Sequence, residues 1–219
     1  MDAAALTLRD PLALAEAGLA PAGPALAEVA RRYAIAVTPD MARLIDRADP
    51  ADPIARQFVP STDELAVRPE ESADPIGDGA HTPVPGLVHR YADRALLKVI
   101  HACPVYCRFC FRREMVGPGQ APPLAGEALE AALAYLAAHE EIREVILTGG
   151  DPFMLSARRA AEIVARLEAI PHIRVLRWHT RVPAVDPGRV SAAFAAARAD
   201  HDASATPAGW RSTPTTRAS

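Results

Sequence analysis

The spacing of apolar residues changes along the 219-residue chain, and the changes divide it into parts. Ala95-Leu96-Leu97-Lys98-Val99-Ile100 is a short apolar run of strand length. From Glu127 to His139 the pattern becomes helical, with Leu129, Leu133 and Leu136 on one face. Glu144-Val145-Ile146-Leu147-Thr148 is a second strand, ending in Gly149-Gly150-Asp151-Pro152. Ser156 caps a predicted helix whose apolar positions are Ala160, Ile163, Val164 and Leu167. Ile173 to Thr180 reads as a third strand, and Val190 to Arg198 starts a third helix. Strand and helix therefore alternate three times, which predicts an α/β fold with a parallel sheet and helical crossovers.

Residues 1–90 read differently, as a helical and irregular N-terminal preface. Asp10-Pro11 starts one predicted helix, Pro24 another through Arg32, and Thr38-Pro39-Asp40 a third through Asp46. From Asp49 to Pro85 prolines recur every few residues, which predicts an irregular arm wrapping the domain at 91–198. Beyond Ala199 the pattern stops: 200–219 contains no Val, Ile, Leu, Met, Phe or Tyr, so 199–219 is expected to be a disordered tail. Three βα units cannot close a barrel and would leave the third strand with an open edge. The expectation is a truncated or frameshifted version of a longer enzyme.

Half of the residues are apolar and the formal charge is −3, enough for a sizeable core and with no demand for a polyanionic partner such as nucleic acid. No stretch approaches the roughly 20 apolar residues of a membrane span, and the first residues do not form a signal peptide. A reducing, cytoplasmic location is expected.

All three cysteines, Cys103, Cys107 and Cys110, fall within 8 positions as C-x3-C-x2-C. Their odd number and short loops argue against paired disulfides. Three converging thiolates suit a [4Fe-4S] cube whose fourth iron is left open to a non-protein ligand. A zinc site using nearby His101 and a set of inert buried thiols are the alternatives. Functional loops of such folds lie at the carboxyl ends of strands, and both the cysteine loop and Gly-Gly-Asp-Pro do so. Parallel pairing is expected to bring them to one rim, where glycines let the backbone approach a ligand closely.

This pair of motifs resembles the radical S-adenosylmethionine superfamily. The similarity narrows over Tyr91-Ala92-Asp93-Arg94-Ala95-Leu96-Leu97, Cys103-Pro104-Val105-Tyr106-Cys107-Arg108-Phe109-Cys110-Phe111-Arg112-Arg113 and Val145-Ile146-Leu147-Thr148-Gly149-Gly150-Asp151-Pro152. With 170–177 and Thr180-Arg181-Val182-Pro183, these stretches resemble the lysine 2,3-aminomutase family, from about Val84 to Val190. The resemblance implies the first three βα units of a partial (β/α)6 TIM-like barrel. It implies that S-adenosyl-L-methionine chelates the open iron and yields an adenosyl radical, with Phe109 contacting the adenine. Thr148, Gly149, Gly150 and Asp151 would turn their backbone toward the cofactor's amino group.

Pyridoxal 5'-phosphate is a further implied cofactor, with Arg94, Arg108 and Arg112 lining its pocket and that of the substrate carboxylate. Arginine binds such groups bidentately; residue chemistry alone favours pairing with surface acids such as Glu114, and the resemblance reverses that preference. The implied reaction is a 1,2-amino shift converting L-lysine to β-lysine, or the related modification of a lysine for elongation factor P. The implied partners are an amino-acid substrate, a flavodoxin or ferredoxin as electron donor, and a second copy of the chain. Lys98 is the only lysine, whereas the family's pyridoxal-anchoring lysine comes late in the barrel. A non-catalytic iron-sulfur fragment is therefore the competing reading.

Overall fold

Three helices near the N-terminus each begin on a proline, whose missing N–H is not needed in a first turn. In this computed structural model, which describes residues 6–199 and 213–214, they are α1 (Pro11–Glu16), α2 (Pro24–Arg32) and α3 (Pro39–Leu44). The Asp10 carboxylate accepts from the Ala13 amide at 2.8 Å and the Thr38 hydroxyl from the Met41 amide, as the capping pattern predicts. A single turn, α4 (Ala55–Phe58), follows, and the Asp52 carboxylate accepts from its Ala55 amide at 2.6 Å. Leu14, Ile35, Val37, Met41 and Phe58 form one apolar cluster, which Val105 of the cysteine loop joins. These residues belong to a first compact unit made of Met1–Ile76, Cys103–Gln120 and Ala184–Asp186.

The second unit, Gly77–Ala102, Ala121–Pro183 and Pro187–Ser219, is built on a sheet. Its strands are β1 (Leu87–Tyr91), β2 (Arg94–Ile100), β3 (Glu144–Gly149), β4 (Val175–Trp178) and β5 (Thr213–Pro214). They lie in chain order across the sheet; β1 is antiparallel to β2 and the rest are parallel. Crossovers between parallel strands carry α5 (Gly126–Ala138) and α6 (Ala157–Glu168). Alternate residues of each strand face these helices. Ala95, Leu97 and Val99 of β2, Val145 and Leu147 of β3, and Leu176 and Trp178 of β4 enter one core. The helices add Leu129, Ala132, Leu133 and Leu136 from α5 and Ala160, Ile163, Val164 and Leu167 from α6. A last turn, α7 (Val182–Val185), and α8 (Ala192–Ala199) complete the described helices, and Phe194 of α8 packs 4.6 Å from Phe153, centroid to centroid.

The mixed α/β architecture is thus as the sequence predicts, with specific corrections. Strand β1 is absent from the sequence reading because only Leu87 and Val88 of its residues are buried, so the alternation is too short to register. The third strand is shorter than 173–180, since Ile173 enters the core ahead of it as part of the loop. The edge of β4, expected to be open, is paired at Arg177 with Thr213 and at Trp178 with Pro214. Apart from those two residues, the tail expectation for 200–219 lies outside the described residues.

No glycine terminates α5. Instead a ring nitrogen of His139 lies 2.7 Å from the Tyr135 carbonyl oxygen, and one of His172 lies 2.9 Å from that of Leu136. A carbonyl oxygen only accepts, so His139 carries its proton on Nδ1 and His172 on Nε2. These donors satisfy carbonyls that a helix end leaves unpaired. Leu136 has no exposed surface, so truncating it leaves a cavity that the sheet cannot fill. Leu136→Ala is expected to cost about 2–5 kcal/mol in chemical denaturation. Leu12→Ala, at an exposed site, is expected to stay within about 0.5 kcal/mol of the parent.

Candidate metal centre

The cysteine loop lies within the first unit and is held by that unit's N-terminal residues. The Tyr106 amide donates to the Ala36 carbonyl at 3.2 Å, and the Arg108 amide donates to that of Gln57 at 2.8 Å. Val105 and Tyr106 are buried and anchor the loop. None of Cys103, Cys107 and Cys110 is in a disulfide, all three are of intermediate exposure, and they line one open hollow together with Tyr33, Tyr106, Arg108 and Arg113. Among the described residues, no three His, Cys, Asp or Glu side chains are gathered as they would be around a single ion. The fit to a cluster rests on the donor set, three thiols on one hollow. Inorganic sulfides bridge the irons of a cube, so each thiolate has only to reach its own iron.

Arg108 is placed otherwise than the phosphate-binding expectation. Its Nε and Nη2 donate to the two Glu64 carboxylate oxygens at 3.0 and 2.6 Å, and its Nη1 donates to the Ala34 carbonyl at 2.8 Å. The fork is filled, so a phosphate would have to displace Glu64 first. Nor is Glu114 its acid, since Glu114 accepts from the Tyr33 hydroxyl at 3.2 Å and lies 4.0 Å from Arg32. Arg112 is buried, its guanidinium 4.6 Å from the Phe111 ring centre. Phe109, which precedes the third cysteine, is 62% exposed.

In the second unit, β2 and β3 run parallel and end at the same rim. The register shifts between Lys98↔Thr148 and Ile100↔Gly149, leaving an extra residue on β2 that turns its end. Past this bulge the Gly150 amide donates to the Ile100 carbonyl at 2.6 Å and the Asp151 amide to that of Ala102 at 2.9 Å. Gly149 has φ +111°, a conformation that L side chains rarely adopt. A β-carbon on either glycine would lie 2.3 Å from a backbone oxygen, that of Ile100 for Gly149 and that of Ala102 for Gly150. Thr148 and Asp151 are buried on either side of the pair.

The Asp151 side chain has a role that spacing alone did not reveal. One carboxylate oxygen accepts from the Phe153 amide at 3.0 Å and the Thr180 hydroxyl at 2.7 Å. The other accepts from the Arg181 and Val182 amides at 2.7 and 3.2 Å. Asp151 therefore ties the loop after β3 to the loop after β4. Burial pushes its carboxyl above the usual carboxylate range, against the opposing effect of these hydrogen bonds. Arg94, also in this unit, is partly exposed and forms a two-pronged pair with Asp93 at 2.9 Å on each side. Lys98 is buried within β2.

Residues 97–201 match the Radical SAM superfamily. An L-lysine 2,3-aminomutase of Escherichia coli (strain K12) is 40% identical over 162 residues, which is 74% of this chain and 46% of that protein. One of Clostridium subterminale is 36% identical over 166 residues, 76% of this chain and 40% of the relative. A third, of Acetoanaerobium sticklandii, is 38% identical over 157 residues, 72% of this chain and 38% of the relative. The match to each of these curated relatives thus covers less than half of the relative's length. The cysteine loop and the Gly-Gly-Asp turn both lie within the residues that match this superfamily. The three relatives are each L-lysine 2,3-aminomutases, and the chain is similar to them over 72 to 76% of its own length. The family's cofactors are a [4Fe-4S] cluster and S-adenosyl-L-methionine, with pyridoxal 5'-phosphate its third.

Two substitutions test the turn. Gly150→Ala is expected to destabilise the second unit by about 2 kcal/mol or more, because its clash is with backbone and not with a flexible side chain. The raised Asp151 carboxyl makes the folded state hold a proton more tightly than the unfolded one. Its stabilising contribution is therefore complete below the ordinary carboxylate range and is lost as pH rises through the folded value. Denaturation at stepped pH is expected to show that loss in the parent and not in Asp151→Asn.

Proposed function

We propose that this chain is a lysine 2,3-aminomutase-like radical S-adenosylmethionine protein. In this reading Cys103, Cys107 and Cys110 hold a [4Fe-4S] cluster, and β2, β3 and β4 are the first three strands of a partial (β/α)6 barrel. The observation that carries it is the set of three cysteines outside any disulfide on one hollow, in a chain similar to lysine 2,3-aminomutases.

When bound, the cluster and S-adenosylmethionine supply radical chemistry, and pyridoxal phosphate supplies an electron-delocalising ring for a 1,2-amino shift. The protein binds and orients these groups. Cys103, Cys107 and Cys110 would hold the cluster through their thiolates and leave one iron to a non-protein ligand. The resemblance gives the backbone of Thr148, Gly149, Gly150 and Asp151 the role toward the cofactor's amino group, while the missing β-carbons of the two glycines make room for the Ile100 and Ala102 carbonyls. The exposed ring of Phe109 offers an apolar face to the adenine. Arg94 and Arg112 remain the candidates for the phosphate and the substrate carboxylate. The substrate is lysine or a lysine derivative, and a low-potential carrier such as flavodoxin or ferredoxin in the cytoplasm supplies the electron.

The position of Lys98 favours a second reading for the chain as it stands, an iron-sulfur protein without turnover. Lys98 is the chain's only lysine and is buried in β2. A resting pyridoxal enzyme needs a lysine amine to hold the aldehyde.

Anaerobic reconstitution tests both readings. The expected product is a brown protein with about four irons and four sulfides per chain, whose electron paramagnetic resonance signal changes when S-adenosylmethionine is added. Cys103→Ser is expected to lose most of the iron. A colourless zinc-loaded protein overturns the cluster reading. Little or no β-lysine is expected from the isolated chain, and ready formation of it would remove the reading without turnover.

A further inference from the structure

We infer that Glu64 is a positioning residue for the cluster, holding Arg108 in place and cancelling its charge beside Cys107. The inference rests on the cluster reading above. Arg108 follows Cys107 directly, so its charge is carried on the loop that binds iron. Its guanidinium is engaged by Glu64 through two nitrogens and by the Ala34 carbonyl through the third. The two side chains are only 9% and 11% exposed, which shields the pair from solvent and salt. Glu64 is itself fixed, since its Oε1 accepts from the Ser61 amide at 3.0 Å as half of a capping box. Its Oε2 also lies 3.8 Å from Nη1 of Arg113, a second cation on the hollow's lining.

A cluster held by thiolates becomes more negative when it takes up an electron, so nearby positive charge makes reduction easier. Glu64 offsets that effect for Arg108 and in part for Arg113. It thereby keeps the cluster harder to reduce while holding the loop's shape. Arg108 thus acts on the cluster through its charge, and Glu64 acts through Arg108.

Redox titration of the anaerobically reconstituted full chain, followed by electron paramagnetic resonance, tests this. Glu64→Gln preserves the shape of the side chain and one acceptor but removes the charge. Its midpoint potential is expected to rise by the equivalent of a roughly tenfold change in the reduction equilibrium, about 59 mV for one electron. Glu64→Asp restores the charge and is expected to return the potential toward the parent value. Arg108→Gln removes the cation and is expected to shift the potential in the opposite direction, which keeps the idea open to test should Glu64→Gln fold poorly. A purely structural role would lower the iron content of these variants and leave the potential of the loaded fraction unmoved. That result, or equal shifts in Glu64→Gln and Glu64→Asp, overturns the inference while the cluster reading stands. A parent chain that takes up no iron overturns the cluster reading, and this inference with it.

Discussion

The structure turns on how closely the ends of β2 and β3 approach each other. The Gly150 amide reaches the Ile100 carbonyl at 2.6 Å and the Asp151 amide that of Ala102 at 2.9 Å, with no room for a β-carbon on either glycine. Pairing thus continues past the strands and fixes the chain up to the residue before Cys103. A bulge between Lys98 and Ile100 turns the strand end as it arrives there. The departure point of the cysteine loop is therefore set by backbone sterics, which side-chain fluctuations do not loosen.

Asp151 extends this constraint to the next strand. Its carboxylate takes four hydrogen bonds, three of them from Thr180, Arg181 and Val182 beyond β4. One buried acid thereby links the loops at two strand ends, and satisfying all its acceptors offsets the cost of burying it. Helices α5 and α6 do the complementary work on the other side of the strands, where Leu97, Val99, Val145, Leu147 and Leu176 meet their apolar stripes.

In the first unit the same logic is carried by an ion pair. The cysteine loop has few apolar anchors, chiefly Val105 and Tyr106, so polar contacts set the rest of its path. Arg108 supplies most of them, to Glu64, Ala34 and Gln57. Nearly buried pairs of this kind are costly to break because one charge is then left uncompensated. The prolines and caps of α1 to α3 matter to function through this contact, since they shape the segment that presents Ala34 and Ala36 to the loop.

The sequence by itself determined the elements that depend on local chemistry. Helix starts at Pro11, Pro39 and Ala157 follow from capping by Asp10, Thr38 and Ser156, the start at Pro24 follows from a proline in the first turn, and the cores of β2, β3, α5 and α6 follow from apolar spacing. The three thiols and the Gly-Gly turn are local signals too, because ligand spacing and close backbone approach are written in adjacent residues. Strand β1 escaped notice because its buried part is two residues long. Only the tertiary structure decided which acid Arg108 meets, since Glu64 lies 44 residues away and Glu114 is nearer in sequence. It alone decided that the Asp151 carboxylate binds Thr180, 29 residues on, where the sequence offered only a turn residue. Such partners are chosen by how loops close and which faces pack together, and neither leaves a periodic trace along the chain.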